Sequence, residues 1–172
     1  VGAACLARDL FCPDILDEAR AAVLSYSTRG SGSGPSVEMI RAAERLIRSR
    51  IEADPAAYRS VSVTTELQFA PAVLRKAAKA KLDLSDPAAS AAGRANVLIA
   101  PSLDVGNVLF HLHVAYFPGI SYVLLPCGFA YDSALDFSRS SKVDDVVLTA
   151  AATTCRLQRA AHFNPAVNLK AR

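Results

Sequence analysis

The stretch Ala21-Ala22-Val23-Leu24-Ser25-Tyr26-Ser27-Thr28-Arg29-Gly30-Ser31-Gly32-Ser33-Gly34 carries the reading of the fold. Its first six residues form a short apolar run, as expected of a strand covered on both faces. Glycines and hydroxyls end that run. Beyond them Val37, Ile40, Ala43, Leu46, Ile47 and Ile51 recur mostly at steps of three and four, which places one apolar stripe on a helix. Ser36 is the expected N-cap, although Met39 three residues on leaves the capping box incomplete. Strand, glycine-rich loop and helix in this order begin a parallel crossover unit.

Outward from this unit the alternation continues. Further apolar runs predict strands over 60–63, 96–100 and 120–125. Helices are predicted over 71–82, opened by Pro71, and from about Asp104 to the break at Pro118-Gly119. The last runs over 141–161, with Ser141 as N-cap and Asp144 and Asp145 in its first turn. Such alternation implies an α/β layered fold with a mostly parallel sheet and right-handed crossovers. With 172 residues, 52% hydrophobic and 20% charged, the chain is expected to form a single domain.

Composition removes several function classes. Nineteen Lys and Arg against 16 Asp and Glu leave a net charge of +3, too small for a nucleic-acid binder without a concentrated basic face. Cys5, Cys12, Cys127 and Cys155 form no C-x-x-C pair and have no histidine cluster beside them, so free thiols in a reducing compartment are expected and no metal site is. His111 and His113 differ by two positions and would face different directions on a helix. No apolar run approaches the roughly 20 residues of a membrane span, and Arg8 and Asp9 interrupt any signal sequence. An intracellular, cytoplasmic or organellar, location without membrane contact follows as the expectation. The chain starts at Val1 rather than Met, which reads as processing or truncation.

Three segments hold residues suited to chemistry. The loop with Ser27, Thr28, Arg29, Gly30 and Ser31 lies past a strand's carboxyl end, where glycines can turn N–H groups toward an anion. Its pattern is neither a Walker nor a dinucleotide fingerprint, and it suits a plain connection equally well. The second segment, residues 101–107, again joins a strand to a helix, and capping is the simpler role for Asp104. In the third, Ser138 and Arg139 offer two donors to an oxyanion and Asp145 a proton acceptor, while pairing of Arg139 with Asp136 is the plainer alternative. Arg41, Arg45, Arg48 and Arg50 read most simply as the solvated face of their helix.

Taken together these segments resemble the C-terminal half of the phosphate acetyl/butyryl transferase family. The family pattern L-S-F-S-T-K-G-S is matched by residues 24–31, G-E-L-Q by Thr65-Glu66-Leu67-Gln68, and A-N-V-L-I-F-P-D-L-N-S-G-N by residues 95–107. Finally N-D-L-S-R-G, followed after a short spacer by an aspartate and two β-branched residues, is matched by residues 135–140 and Asp145-Val146-Val147. All four occur in order within residues 20–158. The resemblance implies a three-layer α/β/α fold of the isocitrate-dehydrogenase-like type and the reaction acetyl-CoA plus phosphate to acetyl phosphate plus CoA. It also implies coenzyme A as substrate with no other cofactor or metal, and a homodimer. By the same resemblance Ser138 and Arg139 stand at the acyl phosphate and Asp145 is the base for the CoA thiol. The resemblance likewise implies that Ser27, Thr28, Arg29, Gly30, Ser31, Gly106 and Asn107 line the substrate cleft.

Departures from the pattern are also legible. Thr65 stands for the glycine of G-E-L-Q, Ser102 for an aspartate and Ser140 for a glycine. The family's N-terminal half has no counterpart here, so a fragment or a reduced paralogue is expected, with residues 129–172 packing on that missing half or on a partner chain. A non-catalytic CoA-binding regulatory module is the alternative to the enzyme.

Overall fold

β1, Ala19–Leu24, is the central strand of a parallel sheet in the order β2-β1-β3, with β2 at Val61–Leu67 and β3 at Val97–Ile99. The computed structural model describes residues 1–12, 14–117, 125–126, 135–137, 139 and 141–163. Consecutive Ala21 and Ala22 are both buried, so both faces of the central strand are covered, as the continuous apolar run predicts. Each strand sits within a few residues of its expected place. The fourth, at 120–125, falls outside the described residues except at its last position.

Ala22 and Leu24 face a core built from Leu67, Ala72, Ala78, Ala89 and Ala92, with Val73, Leu82, Leu84 and Leu109 packed against it. Alternation along the strand turns Ala19 and Ala21 the other way. Besides these layers, α1 (Gly2–Phe11) packs across all three strands, and α2 (Pro35–Ala53) along β2. Pro35 occupies the first turn of α2 and Gly34 its N-cap, two residues ahead of the expected Ser36, because proline has no N–H to leave unpaired there.

The helix expected over 71–82 is two short helices, α3 (Phe69–Val73) and α4 (Arg75–Lys79), broken at an extended Leu74. A continuous helix would need the carbonyls of Pro71 and Ala72 for the N–H groups of residues 75 and 76. Those carbonyls instead accept from Gly93 (2.8 Å) and Ala95 (3.1 Å). A 3-10 turn over Pro87–Ala89 leads back to β3. α5 runs over Leu103–Tyr116 and α6 over Val143–Phe163, two residues later than expected. α6 packs against α1 of the same chain.

Thr64 is fully buried, and its Oγ1 accepts from the Ala91 N–H at 3.0 Å, tying β2 to the turn before β3. Thr64→Val keeps the shape and removes the acceptor, so the unfolding free energy in urea falls by about 2 kcal/mol. An unchanged urea midpoint would dismiss this tie.

Candidate functional site

β1 and β2 pair residue for residue from Ala19 with Val61 to Ala22 with Thr64, but the next partners are Leu24 and Leu67. Val23 therefore opposes two residues, Thr65 and Glu66, and Glu66 takes a left-handed φ of 53°. Neighbours on a regular strand point to opposite faces, and a bulge cancels that alternation. Both side chains consequently reach α2. The Thr65 hydroxyl donates to Glu44 Oε2 at 2.6 Å, while Arg41 grips Glu66 with Nε on Oε2 at 2.8 Å and Nη2 on Oε1 at 2.9 Å. Arg41 and Glu44 lie three residues apart, hence on one face of the helix.

Glu66 then takes hold of the glycine-rich loop. Its Oε1 accepts from Ser27 Oγ (2.6 Å) and from the Gly30 N–H (2.7 Å), and its main-chain carbonyl accepts from the Arg29 N–H (3.0 Å). Ser27 Oγ accepts from the Gly32 N–H at 2.8 Å, and Ser31 Oγ from the Thr28 N–H at 2.8 Å. A second anchor is Gln68, whose Nε2 donates to the Tyr26 carbonyl and whose Oε1 accepts from Thr28 Oγ1 and from Lys81 Nζ. Arg29 and Gly30 have φ of 42° and 94°, so the loop turns through left-handed backbone.

The Arg41 guanidinium, with the Ser27 and Gly30 donors behind it, outweighs burial and holds the Glu66 carboxyl at about 2 against an ordinary 4.5. Burial works against the charge on Glu44 as well, yet the Thr65 hydroxyl and the Arg29 and Arg48 guanidiniums keep its carboxyl below the ordinary range.

Two expectations change here. Arg41 does not belong to a solvated face, because it closes a bidentate pair on a buried carboxylate, whereas Arg45, Arg48 and Arg50 are exposed as expected, Arg48 pairing with Glu44. Nor do the Gly30 and Gly32 N–H groups face outward, since Glu66 and Ser27 take them. Glu66 itself was legible only as a letter of the G-E-L-Q match. In residue terms that match is a carboxylate three residues past the expected strand end, with Gln68 two positions further on.

The remaining residues lie on other elements. Gly106 and Asn107 are the fourth and fifth residues of α5, past the carboxyl end of β3 as expected. Ser102, not Asp104, caps that helix, its Oγ accepting from the Val105 N–H at 3.4 Å, and Asp104 stays exposed in the first turn. Ser138 lies outside the described residues, and Arg139 sits in an exposed turn. Asp145 is half-buried at the third position of α6, and its Oδ2 accepts from the Lys142 N–H at 2.8 Å, the reach-back half of a capping box. This places the helix start at Lys142 and Val143 rather than at Ser141. Among the described residues none of the loop's hydrogen bonds or ion pairs reaches Arg139 or Asp145, no group of three or more His, Cys, Asp or Glu has metal-binding geometry, and no helix is long and apolar enough to cross a membrane.

Comparison with known proteins gives one answer by three routes. The family description phosphate acetyl/butaryl transferase matches residues 7–154. The chain is 37% identical over 136 residues to the phosphate acetyltransferase of Escherichia coli, covering 79% of this chain and 17% of that protein. It is 33% identical over 139 residues to the phosphate acetyltransferase of Borreliella burgdorferi, covering 80% of this chain and 36% of that one. In structure it resembles the EutD phosphotransacetylase from Staphylococcus aureus, with a TM-score of 0.72 at 25% identity over 92% of this chain and 44% of that one. The phosphotransacetylase from Streptococcus pyogenes gives 0.65 at 26% identity, over 92% and 43%. The chain thus spans less than half the length of each of these relatives. The family match takes in residues 7–154, most of the chain, and the chain belongs to the phosphate acetyl/butaryl transferase family.

Proposed function

We propose that this chain is the part of a phosphate acetyltransferase that carries the catalytic acid-base group and one wall of the substrate cleft, in the reaction acetyl-CoA plus phosphate to acetyl phosphate plus CoA. The observation that carries the reading is the family match over residues 7–154, shared with relatives that are themselves phosphate acetyltransferases. In the direction of CoA acetylation, Asp145 takes the proton of the CoA thiol. The sulfur then bonds the acetyl carbon, and the carbon–oxygen bond to phosphate breaks with its electron pair on phosphate. Ser138 and Arg139 stabilise the oxyanion of the tetrahedral intermediate, worth on the order of 3 kcal/mol per well-placed donor.

A free thiol titrates at about 8.5 and an aspartate at about 3.9, so the transfer is uphill by about 6 kcal/mol unless the site draws the two together. With Asp145 Oδ2 engaged by the Lys142 N–H, Oδ1 is the oxygen left for the thiol proton, and the Arg139 charge favours the thiolate. CoA enters as substrate, in a cytoplasmic setting. A homodimer completes the reading, supported by α5, which buries none of its residues and leaves Leu103, Val108 and Tyr116 more than half exposed. The molar mass in solution tests that part.

CoA-dependent release of phosphate from acetyl phosphate tests the reaction. Asp145→Asn and Arg139→Gln are each expected to slow it at least about a hundredfold, and wild-type rates from either would remove that residue from the mechanism. Binding of CoA in a calorimeter with no turnover would select a regulatory module in place of the enzyme.

A further inference from the structure

Arg29 stands at the turn of the glycine-rich loop, and its backbone is pinned by the Glu66 carbonyl, so only its side chain is free to move. That side chain does not point away from the protein. Its Nη1 donates to Glu44 Oε1 at 3.0 Å, across the gap between loop and α2. Glu44 also holds Arg48 through the same oxygen (3.0 Å) and the Thr65 hydroxyl through Oε2 (2.6 Å).

We infer that Glu44 is a positioning residue that stores the Arg29 guanidinium against α2, so that an anionic ligand at the loop, a phosphate or the phosphates of CoA, competes with Glu44 for Arg29. The inference rests on the proposed function, which makes this loop a wall of the cleft. Three features support the exchange. The Gly30 and Gly32 N–H groups are committed to Glu66 and Ser27, which leaves the Arg29 side chain as the loop's strongest remaining anion donor. Both partners are partly exposed, at 27% and 22% of their side chains, so the pair is accessible and only modestly strong. When Arg29 leaves, Glu44 keeps Arg48 and Thr65, so no bare carboxylate results. Thr65 matters for the last point, because the glycine that the family pattern has at this place carries no hydroxyl.

Calorimetric titration with inorganic phosphate and with CoA tests this. Glu44→Gln is expected to tighten binding by about fivefold, Arg29→Gln to weaken it by about tenfold, and the double variant to match Arg29→Gln. That lack of additivity is a result a merely structural role for Glu44 would not produce. Glu44→Asp, whose shorter side chain withdraws the carboxylate, gives the same direction and serves if Glu44→Gln does not fold. If the wild-type protein binds and both Glu44 variants bind with unchanged affinity, or the double variant remains tighter than Arg29→Gln, Glu44 does not compete for Arg29. If no folded form binds either anion, the cleft-wall reading itself fails and takes this inference with it.

Discussion

Glu66→Gln lowers the unfolding free energy by about 3 kcal/mol at neutral pH, which for a chain of this size moves the melting temperature by about 6–12 °C. The size follows from the bonds on that carboxylate. Four contacts converge on it, two from Arg41 and one each from Ser27 and Gly30, and its side chain is 4% exposed. The pH dependence gives the second, sharper readout. In the unfolded chain Glu66 takes up its proton as pH falls through about 4.5, whereas in the folded protein it resists until about 2. The stabilisation is therefore fully present above the ordinary carboxyl value, declines as pH falls between the two, and is gone below the lower one. Glutamine has nothing to titrate, so the stability gap between wild type and variant closes as the buffer is taken from pH 6 toward pH 2. A gap that stays constant would show that the charge of Glu66 does not hold the loop. Because the same carboxylate fixes the turn on which Arg29 rides, the variant is also expected to lose anion affinity along with stability.

Gly93→Ala is the other substitution expected to be severe. Gly93 has a φ of 72°, and a Cβ there would stand 2.7 Å from Arg75 Cα and 2.9 Å from Ala78 Cβ. Left-handed backbone costs alanine about 1 kcal/mol, and a collision with main chain, which cannot rotate aside, adds about 2 more. A loss of about 3 kcal/mol in urea titration is the expectation. The strain falls on the crossing where the Gly93 N–H reaches the Pro71 carbonyl, so the α3–α4 pair should lose amide-exchange protection first. Wild-type stability in this variant would mean that the close approach of Gly93 to α4 does not exist in solution.

Some of this was readable from residue types alone. The period of two against three to four separated β1 from α2, and the loop between them was found by its glycines and hydroxyls. The helix starts expected at Ser36 and Ser141 shifted by two residues and by one, because Pro35 takes the first turn of α2 and the Asp145 carboxylate takes the Lys142 N–H. α1 escaped notice for a different reason. Its buried face includes Arg8 and Asp9, which neutralise each other at 2.8 Å, and a charged pair inside a short segment reads as an interruption rather than as a helix face. The break at Leu74 had no local signature, since its cause is two carbonyls taken by residues some twenty positions away.

Order, spacing and chemical character along the chain were enough to name the layers and the family, because strand and helix periodicity and the ordered motifs are properties of neighbours in sequence. The clamp on the loop was not available at that level. Thr65 and Glu66 act on the same helix only because a bulge against Val23 cancels the alternation of β2. Arg41 and Glu44 meet them only because α2 packs along that strand. A carboxylate at a strand end is ordinarily solvated. What made this one the anchor of the turn was a cation brought to it by the crossover, an encounter that no single stretch of the chain encodes.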